Sequence, residues 1–120
     1  MYIKQKIGKA GENIACKYLQ KKNYIIIDRN FCCKQGEIDI IACDEKKKEL
    51  VFLEVKTRSS LKYGRPSEAV QKVKQSHIIE VAKYYQYKNK IKNIPIRFDV
   101  IEILLNNGNY RINHIKQAFW

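Results

Sequence analysis

Two short runs of this chain carry the side chains that phosphoryl-transfer chemistry uses: Asp39 within Glu37 to Cys43, and Glu54 with Lys56 within Leu50 to Lys56. The second run alternates cleanly, with Leu50, Phe52, Glu54 and Lys56 on one side and Val51, Leu53 and Val55 on the other, as a β-strand requires. If the polar segment Asp44 to Glu49 closes a symmetrical hairpin in which Cys43 faces Leu50, Asp39 stands directly opposite Glu54, and Glu37 opposite Lys56. A one-residue slip would break that pairing. Directly opposed residues have Cβ atoms about 4.5–5.5 Å apart, so two carboxylates there repel unless a cation or a proton lies between them. Mg2+ or Mn2+ would satisfy both and keep room for water and a phosphate oxygen. Lys56, on the same face as Glu54, would orient the nucleophile or stabilise charge on the pentacoordinate transition state. The rival reading makes Glu54 and Lys56 a solvated polar edge, but Leu50 and Phe52 share their face. Glu12, the only acid before Asp28, either holds a metal-coordinated water from beyond the sheet edge or balances the lysines around it.

These groups need elements to carry them. From Lys4 to Gln20 the residues Ile7, Ala10, Ile14, Tyr18 and Leu19 recur at helical spacing and predict an amphipathic helix bearing Glu12. Tyr24 to Ile27 suits a short strand, Gly36 marks a turn, and the strands Glu37 to Cys43 and Leu50 to Lys56 follow. Thr57 to Pro66 reads as an exposed loop, and Ser67 as the cap of a second helix whose stripe is Val70, Val73, His77, Ile78, Val81, Tyr84 and Tyr85. Ile96 to Leu104 and Tyr110 to Ile115 are two further strands joined by a turn at Asn106 to Asn109. The order α-β-β-β-α-β-β, with no linker or repeat, predicts one α/β domain over residues 1–120.

Composition narrows the partner. Lys and Arg outnumber Asp and Glu 24 to 12, and a net charge of +12 draws so small a body towards nucleic acid, although a lysine-rich host composition would look the same. No apolar run approaches the roughly 18 residues of a membrane span, and the N-terminus lacks the apolar core of a signal peptide, so a cytoplasmic protein is expected. Cys16, Cys32, Cys33 and Cys43 form no C-x-x-C pair and read as reduced thiols.

The motifs then combine. G-E-x-x-A at Gly11 to Ala15, R-N at Arg29 and Asn30, G-E-I-D-I-I-A at Gly36 to Ala42 and V-F-L-E-V-K-T-R at Val51 to Arg58 occur in order. Gly64, Pro66, Glu68 to Val70, Lys74, R-F-D-V at Arg97 to Val100 and I-N-H-I-K-Q-A-F at Ile112 to Phe119 continue the series. Together they resemble the YraN-like bacterial family of predicted endonucleases, which is similar to archaeal Holliday junction resolvases and the wider PD-(D/E)xK superfamily. The resemblance implies a restriction-endonuclease-like fold, a central mixed β-sheet flanked by two main helices. It implies Asp39, Glu54 and Lys56 as the active-site triad, with Glu12 as the helix-borne acid that joins Asp39 and Glu54 at the metal. Ile38 replaces the proline of the superfamily motif, a position whose side chain does no chemistry.

The expected activity is Mg2+- or Mn2+-dependent hydrolysis of DNA, including branched DNA, in repair or recombination. Arg58, Tyr63, Arg65 and Lys74 are the candidate DNA contacts, and a two-fold homodimer would suit cutting of both strands. Two other readings compete. One is a non-catalytic nucleic-acid-binding accessory domain with the same fold; the other is a protein-interaction module using Tyr84, Tyr85 and Tyr87.

Overall fold

A computed structural model of the chain describes residues 2–58 and 71–120, with helix side chains from Gly8 onward. Its elements are α1 (Tyr2–Lys21), β1 (Tyr24–Cys33), β2 (Gly36–Asp44), β3 (Glu49–Arg58), α2 (Lys72–Lys88), β4 (Ile96–Asn106) and β5 (Asn109–Phe119). The order is the predicted one. The five strands form one sheet in sequence order. β3 and β4 run parallel, joined through α2, while the other neighbouring pairs are antiparallel.

The alternation of apolar side chains gives the sheet two buried faces. On one, Ile40, Ala42, Val51, Leu53, Ile101 and Ile103 pack against Ala15, Cys16 and Leu19 of α1. On the other, Ile41, Leu50, Phe52, Phe98 and Val100 pack against Ile78, Val81, Ala82 and Tyr85 of α2. Each large side chain removed from water contributes about 1.5–3 kcal/mol, so these faces fix which side of every strand is inward.

Several boundaries differ from expectation. β1 continues six residues beyond Ile27 to Cys33 because its far half pairs with β2, from Asp28 against Ile41 to Cys33 against Gly36. As an edge strand it keeps polar residues on its open side. A shift in pairing between Ile26 and Asp28 interrupts the alternation that a continuous strand would have presented. β5 likewise runs past Ile115 to Phe119, whose ring stacks on Phe98 with centroids 5.2 Å apart. In α1 the inward line runs through Gly11, Ala15 and Leu19, and Ala10 is exposed. Gly11 has a specific task, since a Cβ there would overlap Thr57 Oγ1 of β3. Its absence lets α1 lie against the end of β3, next to Glu12. In α2 the expected stripe is buried only from Ile78 onward; Val73, His77 and Tyr84 are exposed. Gln71 stands at the N-cap without a side-chain cap bond. Ser67, Val70 and most of the expected loop lie outside the described residues.

Candidate active site

The β2–β3 hairpin closes as its composition predicts, with Cys43 opposite Leu50 and the pairing running from Asp44–Glu49 to Ile40–Leu53. There the ladder stops. The next N–H of β3, that of Val55, donates to Asp39 Oδ2 at 2.8 Å instead of to a β2 carbonyl. A side chain has taken the place of backbone, and the two strands part around it. The expected Glu37–Lys56 opposition is therefore not formed. Glu37 instead faces Cys32 of β1, and Lys56 is paired in register with Glu102 of β4.

At this parting Asp39 and Glu54 come together as the sequence register required. Asp39 is 8% exposed and Glu54 5%, and their carboxyl groups share a hydrogen bond. Two carboxylates in such contact cannot both be ionised cheaply. Burial first, then the hydrogen bond and negative charge of Asp39, push the Glu54 carboxyl up to about 8, against the pull of Lys74 and Lys56. A proton shared by the two carboxyl groups relieves that repulsion. Among the described residues Lys74 of α2 forms an ion pair with Glu54, its Nζ 3.6 Å from Oε2.

Glu12 stands on the α1 side. Its carboxylate is 3.7 Å from Arg29 Nη2, accepts from Asn30, and lies close enough to Asp39 to feel its charge. Burial, then Asp39, raise its pKa above the ordinary glutamate value. Glu12 is thus beside the Asp39–Glu54 pair while bonded away from it. Among the described residues no three His, Cys, Asp or Glu side chains gather into a metal-binding group. Lys56 is half-buried on the same strand, close enough for its charge to act on Glu54. Arg58, two residues further along β3, acts on Glu102. Tyr63 and Arg65 lie outside the described residues.

Two features were not read from the sequence. Lys74, placed above as a DNA contact, is the ion-pair partner of Glu54, a contact that depends on where α2 docks. Glu102 is 1% exposed, with Oε1 accepting from Asn113 Nδ2 at 2.9 Å and Oε2 the one buried side-chain oxygen without a partner among the described residues. Burial raises its pKa against the opposing effects of Asn113 and Arg58. A glutamate inside the apolar run Val100 to Leu105 was its only trace in the sequence.

The model of the Uncharacterised protein family UPF0102 matches residues 11–103, from Gly11 in α1 to Ile103 in β4. A UPF0102 protein of Caldicellulosiruptor saccharolyticus is 48% identical over 118 residues, covering 97% of this chain and 98% of that one. One from Clostridium botulinum strain 657 is 51% identical over 121 residues, covering 98% and 97%. One from Caldanaerobacter subterraneus is 46% identical over 119 residues, covering 97% and 96%. The matched span holds Glu12, Asp39, Glu54, Lys56, Lys74 and Glu102, and the chain belongs to the UPF0102 family, the YraN-like family that its motifs resemble.

Proposed function

We propose that this chain is a divalent-metal-dependent DNA endonuclease of the restriction-endonuclease-like type, acting on phosphodiesters in the cytoplasm with branched DNA among its substrates. The observation that carries the proposal is the buried contact of the Asp39 and Glu54 carboxyl groups where β2 and β3 part. Two hard oxygen donors held this close fit Mg2+ or Mn2+, because a divalent ion can replace the shared proton and satisfy both carboxylates. Such an ion, when bound, supplies an acidified water and neutralises phosphate charge. Asp39 and Glu54 hold it, and the Val55 N–H fixes the orientation of Asp39. Lys56 presents an ammonium to the attacking water or a non-bridging phosphate oxygen. Glu12 stands behind Asp39 and accepts a proton or a hydrogen bond from water once it turns from Arg29. The net charge of +12 attracts the DNA backbone without reading its sequence.

The test is cleavage of labelled four-way junction, flap, single-stranded and duplex DNA in Mg2+ or Mn2+ by the parent, Asp39→Ala and Glu54→Ala proteins, purified identically. The expected result is cutting by the parent and a loss of at least about 10³-fold in both variants, with DNA affinity retained. Equal cutting by parent and variants would refute the site. One specific observation favours a second reading, a non-catalytic accessory domain: Glu12 is bonded to Arg29 and Asn30 and leaves two carboxylates at the site. No metal-dependent cutting, together with salt-sensitive DNA binding, would select that reading. Cutting that requires a two-fold homodimer would appear as a rate rising with the square of protein concentration.

A further inference from the structure

At the other end of the sheet, on its α1 face, a cavity of about 300 Å3 opens between α1, the β2–β3 turn and β5. Asp44, which lines it, is five residues along β2 from Asp39, or about 17 Å at strand spacing. Its walls include Tyr18, Tyr24 and His114, and its lysines are Lys22 from the turn after α1, Lys46 and Lys47 from the β2–β3 turn, and Lys116 from β5. Among the described residues, none of these four lysines has an ion-pair partner. Asp44, the one acid in the lining, is already engaged. It receives Arg97 Nη1 at 3.0 Å and the backbone N–H groups of Lys46 and Lys47 at 3.1 and 3.3 Å.

Lysines are frequent throughout this chain, so their number decides little; the buried donor between them decides more. Tyr24 is 6% exposed, and its hydroxyl oxygen accepts from Arg97 Nη2 at 2.6 Å. That oxygen's own proton has no acceptor among the described residues. Burial pushes the phenol up to about 12, so it keeps the proton throughout the physiological range. The guanidinium bonded to its oxygen polarises the O–H and makes it a stronger donor. His114 completes the wall without competing for a ligand, since its two ring nitrogens are bonded to Asp99 and to the Tyr18 hydroxyl. A buried O–H donor, unpaired ammonium groups from three elements and an already neutralised acid are the recognition chemistry of a phosphate oxygen.

We propose that this cavity is a phosphate-binding site that receives a backbone phosphate of a nucleic-acid strand. That the phosphate belongs to nucleic acid rests on the function proposed above; that the site binds phosphate does not. A contact here would add a second phosphate point on the α1 face, offset about 17 Å along β2 from Asp39.

The test uses the full chain in EDTA, where the Asp39–Glu54 pair has no divalent ion, titrated with inorganic phosphate, a deoxynucleoside 5′-monophosphate and a short single-stranded oligonucleotide. NMR follows the His114 ring, whose centroid is 6.0 Å from that of Tyr24. All three ligands should shift it saturably, the oligonucleotide at the lowest concentration. A double Lys46→Ala, Lys47→Ala variant should weaken oligonucleotide binding about tenfold and lower its salt slope by about 1. Tyr24→Phe, which removes only the O–H, should weaken phosphate binding about tenfold. Should loss of the Arg97 contact unfold that variant, the lysine variant still decides, because it removes exposed side chains. Parent-like binding by the lysine variant, or no shift at His114, would overturn the site. Binding of the monophosphate as tightly as the oligonucleotide would overturn the strand assignment in favour of a free nucleotide. Asp39→Ala should leave all of this binding unchanged while abolishing metal-dependent cutting, so the two proposals fail separately.

Discussion

The two ends of this sheet both bury carboxylates, and they neutralise them in opposite ways. At the end where β2, β3 and β4 bring Asp44, Glu49 and Asp99 together, Arg97 stands among them. Its guanidinium donates to both Asp99 oxygens at 2.9 Å, to Asp44 at 3.0 Å, to Glu49 at 2.8 Å and to the Tyr24 hydroxyl at 2.6 Å. Asp99 also receives the Gln117 N–H and bonds His114. At the other end Asp39 and Glu54 meet, and among the described residues no buried guanidinium or ammonium stands between them. Lys74 reaches Glu54 from a half-exposed position, and one proton supplies the remaining neutralisation. One end carries its counter-ion within the fold; the other leaves that place to a proton, which the divalent ion proposed above would displace.

The first way to break the comparison is to remove its permanent cation. Burial would raise Asp99 and Asp44, but the bonds from His114 and Arg97 to Asp99, and from Arg97 to Asp44, hold both below their ordinary values. Arg97→Met should cost about 3–5 kcal/mol, since it strands buried carboxylates without their donor. On a domain stable by about 5–15 kcal/mol this approaches unfolding, and urea denaturation reads it directly. A depressed carboxyl stabilises the fold above its unfolded pKa and loses that contribution as pH falls through the folded one. The parent should therefore hold its stability down to about pH 4 and lose the contribution below that. A loss under about 1 kcal/mol in Arg97→Met would show that the network is dispensable.

Neutralising the other end should do the reverse. Glu54 is raised from 4.5 to about 8, so its protonated form stabilises the metal-free fold fully below pH 4.5, and that contribution fades as pH rises through 8. Glu54→Gln mimics the protonated form and has no such loss. In EDTA the variant's melting temperature should draw level with the parent's near pH 5 and exceed it by at least about 10 °C at pH 9. A gap that does not widen with pH would show that Glu54 ionises normally. The same substitution should abolish cleavage, so stability and activity move in opposite directions at one residue.

How much of this could be read beforehand follows from which forces are local. The Asp39–Glu54 encounter was legible because a two-residue alternation and a symmetrical turn fix a hairpin register, and Cys43 does face Leu50. The parting of the strands beyond Ile40 and Leu53 was not legible. It arises when the Asp39 side chain captures the Val55 N–H, a choice that periodicity does not encode. Asp28 to Cys33 gave no strand signal because an edge strand tolerates polar residues; only pairing with β2 makes it a strand. The Arg97 network appeared beforehand only as the letters R-F-D-V and I-N-H-I-K-Q-A-F, with no sign that they converge on Asp44 and Tyr24. Gly11 stood inside a quoted motif, yet its reason, the approach of Thr57, belongs to packing across elements. Lys74 could be located on a helix, but its reach to Glu54 required knowing the docking of α2.

That contact gives the smallest and most discriminating effect. Lys74 lies 3.6 Å from Glu54 and is 49% exposed, so deleting the pair should cost under about 1 kcal/mol. Its positive charge nevertheless favours the ionised form of Glu54. Lys74→Gln should therefore move upward the pH at which the loss of stability in the metal-free protein is complete, while barely changing stability at pH 6, where Glu54 is protonated in both proteins. Comparing pH–melting curves of the parent, Lys74→Gln, Glu54→Gln and the double variant isolates the coupling, because Lys74 can act on this midpoint only through Glu54. If Lys74→Gln moves the midpoint and the double variant follows Glu54→Gln alone, Lys74 is the partial counter-ion of the proton-sharing pair. If the midpoint stays in place, the ammonium lies in solvent and the pair is neutralised by its proton alone.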